Sequence, residues 1–251
     1  MPYAENEGTR IYFETEGSEG APAVVMHHGF LADLESWRDR GFVDRLRDRF
    51  RILLMDSRGH GRSDKPHEPE AYDLRTRVMD VVSVLNANDV RQAHYLGYSM
   101  GGMVGFSTMI YAPQRFLSYT LGGAQPMHDP ERRAQRAAVP FRQYYEGAVK
   151  RNDAVRAAFE AGRHDVDALE ACRASLDGWN GAEQAVSVAS QPILIYVGTD
   201  DMPHAGALRA RELNPNLRVI ELPGDDHSAA ATRSEVVVPE MLAMIEGIPV
   251  T

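Results

Sequence analysis

Residues 92 to 106 read Gln92-Ala93-His94-Tyr95-Leu96-Gly97-Tyr98-Ser99-Met100-Gly101-Gly102-Met103-Val104-Gly105-Phe106, and this stretch decides the fold. The apolar run around Tyr95 to Tyr98 is strand-like, Gly97 to Gly101 is a G-x-S-x-G turn, and Met103 to Tyr111 has the composition of a buried helix. Strand, sharp turn and helix in that order put Ser99 at the apex. Glycines two positions either side suit a serine in strained backbone, because side chains there would collide with the neighbouring strand and helix. Ser99 is therefore the candidate nucleophile. Its hydroxyl is expected above the sheet, at the amino end of a helix whose dipole favours the negative charge that develops during attack.

Outward from this turn the chain alternates strands and helices. Thr9 to Glu16 suggests an early strand, and Ala23 to Met26 is continuous and apolar, as a parallel strand buried on both faces should be. It ends in His27-His28-Gly29-Phe30, where a glycine lets backbone approach a ligand and the Phe30 amide can point into a site. A helix is expected over 34–49, a strand over 51–55, a helix over 72–88 and a strand over 116–121. The loop Asp56 to Asp64 is rich in glycine and polar side chains, and we read it as structural, supplying turn geometry and self-capping hydrogen bonds. From 125 to 188 the pattern changes. Asp129-Pro130 starts a helix, alanine and arginine dominate, and Phe141, Tyr144, Tyr145 and Trp179 fall within helices. This reads as a helical lid inserted into an α/β core formed by 1–124 and 189–251, with His28, Tyr144, Tyr145 and Trp179 as candidate pocket residues. Alternation resumes with strands at 193–197 and 217–222, a helix near 205–213 and a final helix over 234–246. Each candidate catalytic group follows the carboxyl end of a strand, where open α/β sheets place their sites.

The length of 251 residues, 43% of them hydrophobic, suits one α/β domain with an insertion. A formal charge of -9 argues against a nucleic-acid partner. The densest basic run, Arg45 to Arg51, alternates with Asp44 and Asp48 and reads as a solvated face. One cysteine, Cys172, leaves no internal disulfide and no cysteine-type metal site; it reads as a semi-buried side chain of the insertion. Apolar runs are strand-sized and no basic-then-apolar leader opens the sequence, so no membrane partner and a cytoplasmic location are expected. Oligomeric state is not encoded in any recognisable pattern.

A serine hydroxyl needs a base to take its proton, and that base needs a carboxylate to hold it in one tautomer. His227 fits best: it lies in a late loop after a strand, in Gly224-Asp225-Asp226-His227. The acid is open between Asp200 and Asp201, with Asp225 and Asp226 as alternatives on spacing. The Met100 amide, next after the nucleophile, is expected in an oxyanion hole.

These motifs together resemble the α/β-hydrolase superfamily, with His28-Gly29-Phe30, Asp56-x-Arg58-Gly59-His60-Gly61-x-Ser63-Asp64, the elbow at Ser99, an acid loop at Gly198 to Asp201 and Gly224-x-x-His227 in that family's order. The resemblance implies a mostly parallel sheet flanked by helices. It selects Asp201 as the acid, adds the Phe30 amide to the oxyanion hole, and implies neither a metal nor an organic cofactor. His-Gly-Phe with Ser-Met-Gly-Gly is similar to bacterial carboxylesterases, cofactor-free perhydrolases and 3-oxoadipate enol-lactonases, which implies small or medium esters or lactones as substrates. A serine at the elbow speaks against the epoxide hydrolases and haloalkane dehalogenases, which carry aspartate there. The remaining alternatives are a carbon-carbon bond hydrolase or hydroxynitrile-lyase-like enzyme using the same triad, and a receptor-like protein with vestigial catalysis.

Overall fold

A computed structural model describes residues 2–176 and 178–246; residues 1, 177 and 247–251, which the expected core and lid boundaries include, lie outside it. Eight strands form one sheet: β1 (Tyr3–Asn6), β2 (Thr9–Gly17), β3 (Ala23–His27), β4 (Arg51–Met55), β5 (Ala93–Tyr98), β6 (Phe116–Gly122), β7 (Ile193–Gly198) and β8 (Leu217–Leu222). Their spatial order is β1-β2-β4-β3-β5-β6-β7-β8. β1 and β2 pair antiparallel, β2 joins β4 antiparallel, and every later pairing is parallel.

Strand periodicity sorts the core onto two faces. Val25, Leu53, Tyr95, Leu121 and Ile195 pack beneath α3 (Leu74–Ala87) and α4 (Met100–Tyr111). Val24, Ile52, Leu96, Leu194 and Tyr196 face α1 (Glu35–Asp39), α2 (Phe42–Leu46) and α12 (Ser234–Ile245). β3, β5 and β7 are buried at every position, the pattern of parallel strands covered on both sides.

Among the described residues five helices lie between β6 and β7: α5 (Pro130–Ala137), α6 (Phe141–Arg151), α7 (Asp153–Glu160), α8 (Val166–Leu176) and α9 (Glu183–Val188). α9 packs through Val186 into the main core, while Phe141, Tyr145, Val155 and Leu169 form a separate cluster with Leu31. Cys172 on α8 is buried rather than half-buried; its Sγ lies 2.8 Å from Arg77 Nη2 of α3 and 3.8 Å from Met100 Sδ. α10 (His204–Ala210) and the short α11 (His227–Ala230) complete the chain.

The secondary structure departs from expectation at four places, the first being Trp179, which lies between α8 and α9 rather than within a helix. The helix expected over 34–49 is two short helices, because Gly41 between them takes φ 73°, a conformation glycine adopts without the steric cost other residues meet. β1 was not foreseen; it reaches β2 through Glu7 and Gly8, both at positive φ, in a tight hairpin. His227 opens a helical turn rather than lying in an open loop, since Asp226 caps that turn by accepting from Ser228 N and Ala229 N, both at 2.9 Å.

Candidate active site

The turn after β5 is sharp because two backbones nearly touch. A Cβ on Gly101 would sit 2.0 Å from the His27 carbonyl oxygen, and one on Gly97 would sit 2.5 Å from that of Gly101. Ser99 itself takes φ 54° and ψ -109°, a conformation that costs a non-glycine residue about 1–3 kcal/mol. This turn aims its hydroxyl away from the sheet at the first turn of α4.

Two other strand ends deliver its partners. Ser99 Oγ lies 2.9 Å from His227 Nε2, and His227 Nδ1 lies 2.8 Å and 3.0 Å from the two carboxylate oxygens of Asp201. A carboxylate only accepts, so Nδ1 carries the hydrogen and Nε2 is left to accept the Ser99 proton. Asp201 is buried while the His227 side chain is 44% exposed, so the imidazole reaches solvent and the carboxylate beside it does not. Asp200 is exposed at the rim, its carboxylate accepting from Thr199 Oγ1 at 3.4 Å. The other aspartates have different tasks: Asp225 holds Arg233 through two bonds of 2.6 Å, and Asp226 caps α11.

The amides of Phe30 and Met100 find no backbone acceptor among the described residues. Met100 N–H is the first of α4, among the donors a helix cannot satisfy internally. Both residues line, with Ser99 and His227, a cavity of about 580 Å³. Tyr144 and Trp179 also line it; Tyr144 stacks on Phe30 at 6.4 Å, and Trp179 on Phe106 at 6.4 Å. His28 and Tyr145 lie outside that lining. His28 is fully buried, its Nε2 accepting from Ser57 N–H at 3.0 Å and its Nδ1 donating to Gly29 O at 2.8 Å, and burial pushes its pKa down. Tyr145 turns into the insert, where it packs on Phe141 and its hydroxyl meets His164 Nδ1 at 2.9 Å.

Tyr98, adjacent to the serine, did not stand out in the sequence. Its hydroxyl donates to the His227 carbonyl at 2.5 Å and its ring lies 5.3 Å from the imidazole. Burial pushes its phenol well above the ordinary value, so it stays a donor. Met103, Met127, Leu176 and Met202 add apolar wall, and Arg133, Arg136 and Arg173 add cationic wall. The signal for two of these was the i, i+3 spacing of Arg133 and Arg136, which places them on one face of α5. Among the described residues no group of three or more His, Cys, Asp or Glu is placed to hold a metal ion, and no helix is long and apolar enough to cross a membrane.

The loop 56–64 is tied down internally. Asp56 accepts from Leu34 N and Arg62 N, each at 2.8 Å, Ser63 Oγ donates to Asp56 O at 2.7 Å, and Arg58 forks onto Asp80 with two bonds of 2.6 Å.

A mostly parallel sheet with helices on both faces, a serine on a strained strand-to-helix turn and a histidine and acid on later strand ends define a class of protein. Residues 22–177 match the family model for the alpha/beta hydrolase fold, and the chain belongs to that family. Along 96% of its length it is 26% identical to a non-heme chloroperoxidase of Streptomyces lividans, of which it covers 98%. It is 31% identical, over 47% of its length, to a 3-oxoadipate enol-lactonase of Acinetobacter baylyi, of which it covers 42%. Among solved structures, the enol-lactonase from Burkholderia xenovorans superposes with a TM-score of 0.80 at 21% identity, covering 98% of this chain and all of that one.

Proposed function

We propose that the protein is a serine hydrolase that cleaves small or medium carboxylic esters or lactones through an acyl-enzyme on Ser99. The observation that carries this reading is the unbroken hydrogen-bond line from Asp201 through His227 to Ser99, at the wall of a cavity shared with the Phe30 and Met100 amides. Ser99 Oγ attacks the carbonyl while His227 Nε2 takes its proton, and Asp201 holds the resulting imidazolium in place. The oxyanion accepts from Phe30 N–H and Met100 N–H. His227 then gives its proton to the leaving oxygen, and a water, activated by the same nitrogen, releases the acid. Apolar side chains such as Met103, Leu176 and Trp179 suit an acyl group of modest size, and the helices of 125–188 act as its lid. The enol-lactonase among its relatives supports an ester or lactone as the bond cleaved.

The test is steady-state hydrolysis of p-nitrophenyl esters of increasing chain length, with Ser99→Ala as control. Serine-dependent turnover that peaks at short or medium chains is the expected result. No turnover, alongside stoichiometric labelling of Ser99 by a phosphonate, would sink the esterase reading and turn attention to carbon-carbon cleavage or to ligand binding alone.

A further inference from the structure

Between β3 and α1 the chain is held from two sides. Its ends belong to the sheet and its loops: His28 Nδ1 donates to Gly29 O at 2.8 Å, and Leu34 N donates to the buried Asp56 Oδ1 at 2.8 Å. A backbone bond of 3.2 Å from Ala32 N to Gly29 O closes a turn with Phe30 and Leu31 as its central residues. Leu31 takes φ 63°, at a turn position where a positive φ favours glycine. A leucine there meets a steric cost that glycine would not. Its side chain is nonetheless buried, in a cluster with Phe141 and Tyr145 of α6, Val155 of α7 and Leu169 of α8. Phe30 joins from the same turn, stacked on Tyr144 at 6.4 Å and edge-on to Phe141 at 6.3 Å. Among the described residues, every other member of that cluster belongs to α6, α7 or α8. Asp33 adds a polar tie, accepting from Arg163 Nη1 at 2.7 Å. The sheet side thus fixes the ends of the turn, and the excursion between β6 and β7 grips its middle.

We propose that Leu31 is a positioning residue of the oxyanion hole: by clamping this turn to α6, α7 and α8 it aims the Phe30 amide at the carbonyl attacked by Ser99. The helices between β6 and β7 are then part of the hydrolytic machinery as well as a wall of the cavity. This rests on the serine-hydrolase reading above, which gives the Phe30 amide its task. A strained residue persists only where its surroundings over-determine it, and for Leu31 those surroundings are the cluster. Without that grip φ at Leu31 relaxes to negative values. Because Gly29 and Leu34 stay pinned, the change is taken up by the peptide planes between them, and the Phe30 N–H turns with them. An oxyanion donor acts only within a narrow range of distance and angle, so a small rotation costs rate while substrate still binds. The two donors differ in this respect. Met100 N–H is set by the elbow and the first turn of α4, whereas Phe30 N–H is set by a contact with another stretch of chain.

The experiment follows p-nitrophenyl butyrate hydrolysis and the labelling of Ser99 by a p-nitrophenyl phosphonate in the wild type, Leu31→Gly, Leu31→Met and Val155→Ala. In the labelling step Ser99 Oγ bonds to phosphorus, p-nitrophenolate leaves, the serine proton passes to His227, and the charged phosphoryl oxygen occupies the oxyanion hole. Leu31→Gly relieves the backbone and removes the grip. Val155 belongs to the cluster and lies outside the cavity lining, so Val155→Ala loosens the clamp without touching the turn. In Leu31→Gly both kcat and the labelling rate should fall at least about tenfold, with KM within about threefold of the wild type. Val155→Ala should show the same pattern severalfold, and Leu31→Met, which refills the cluster, should restore most of the rate. A labelling rate in Leu31→Gly within about twofold of the wild type, or a loss confined to KM, overturns the proposal and leaves the hydrolase reading standing. If Leu31→Gly does not fold, Val155→Ala decides, and wild-type rates there overturn the proposal. A wild type that takes the label without turning over the ester ends the ester reading alone, and the labelling rates then decide this one. A wild type that does neither overturns both.

Discussion

Ser99 is held in a conformation that serine rarely takes, and the surroundings over-determine it: β5 pins one side, α4 the other, and His27 and Gly101 touch beneath. Removing the hydroxyl should therefore leave the fold intact. Ser99→Ala is expected to lower kcat on an ester by about four to six orders of magnitude with an unchanged melting temperature. The acid can be assigned by comparison. Asp201→Asn should cost about a thousandfold or more, because an amide can present its NH2 to Nδ1 and trap the wrong tautomer, while Asp200→Asn should cost less than about fivefold. The reverse order in matched kcat measurements would move the role to Asp200. Tyr98→Phe keeps the ring under His227 but removes the bond to its carbonyl, so the base is less well placed; we expect kcat to fall about tenfold with KM little changed.

At the level of elements, the contact that matters most is between the elbow and β3. Gly101→Ala drives a methyl into the His27 carbonyl and cannot be accommodated without moving α4 off the sheet; we expect a loss of at least about 3 kcal/mol in urea unfolding, or no soluble protein. Loop 56–64 depends similarly on the buried Arg58–Asp80 pair, which ties it to α3. Much of this was legible in the sequence. The G-x-S-x-G turn needed two small residues for a steric reason that the pattern itself displays, and buried parallel strands announce themselves as unbroken apolar runs. His227 stood out by its position after a strand, whereas position left Asp200 and Asp201 open and only the family resemblance favoured Asp201, the one that lies 2.8 Å from His227 Nδ1. What could not be read were features set by approach in space: that Tyr145 turns away while Tyr144 faces the cavity, that His28 is spent on Ser57 and Gly29, and that arginines scattered over 133 to 173 converge. Helix spacing shows which residues share a face, but not which neighbour that face meets.

Across the molecule, the buried histidines set the response to acid. Burial pushes His27, His28 and His60 down, the first and last well below the ordinary value, and His94 down to about 4. A neutral histidine in the folded state and a protonatable one in the unfolded chain means that stability is present above about pH 6.5 and lost as pH falls below it. Each such group contributes up to about 1.4 kcal/mol per pH unit. Asp56 and Asp80, which burial pushes up, act with the opposite sign, while His164, which burial also pushes down, acts with the same sign as the other histidines. Unfolding free energies measured in urea at pH 7.5, 6.5 and 5.5 should fall over both intervals and about three times as steeply over the second as over the first; a flat profile would contradict this account.

The helices that bring the arginines leave the sheet after β6 and return to it at β7, and those two strands are hydrogen-bonded neighbours, with Gly122 beside Tyr196. Departure and re-entry are therefore side by side, and the excursion between them joins the body through α9 in the main core and through Ala171, Cys172 and Leu176 of α8, which cluster with Tyr72 and Met100. Ser99, His227 and Asp201 all lie outside that excursion, so the line they form and the wall that faces it are carried by separate stretches of one chain, joined only at neighbouring strands.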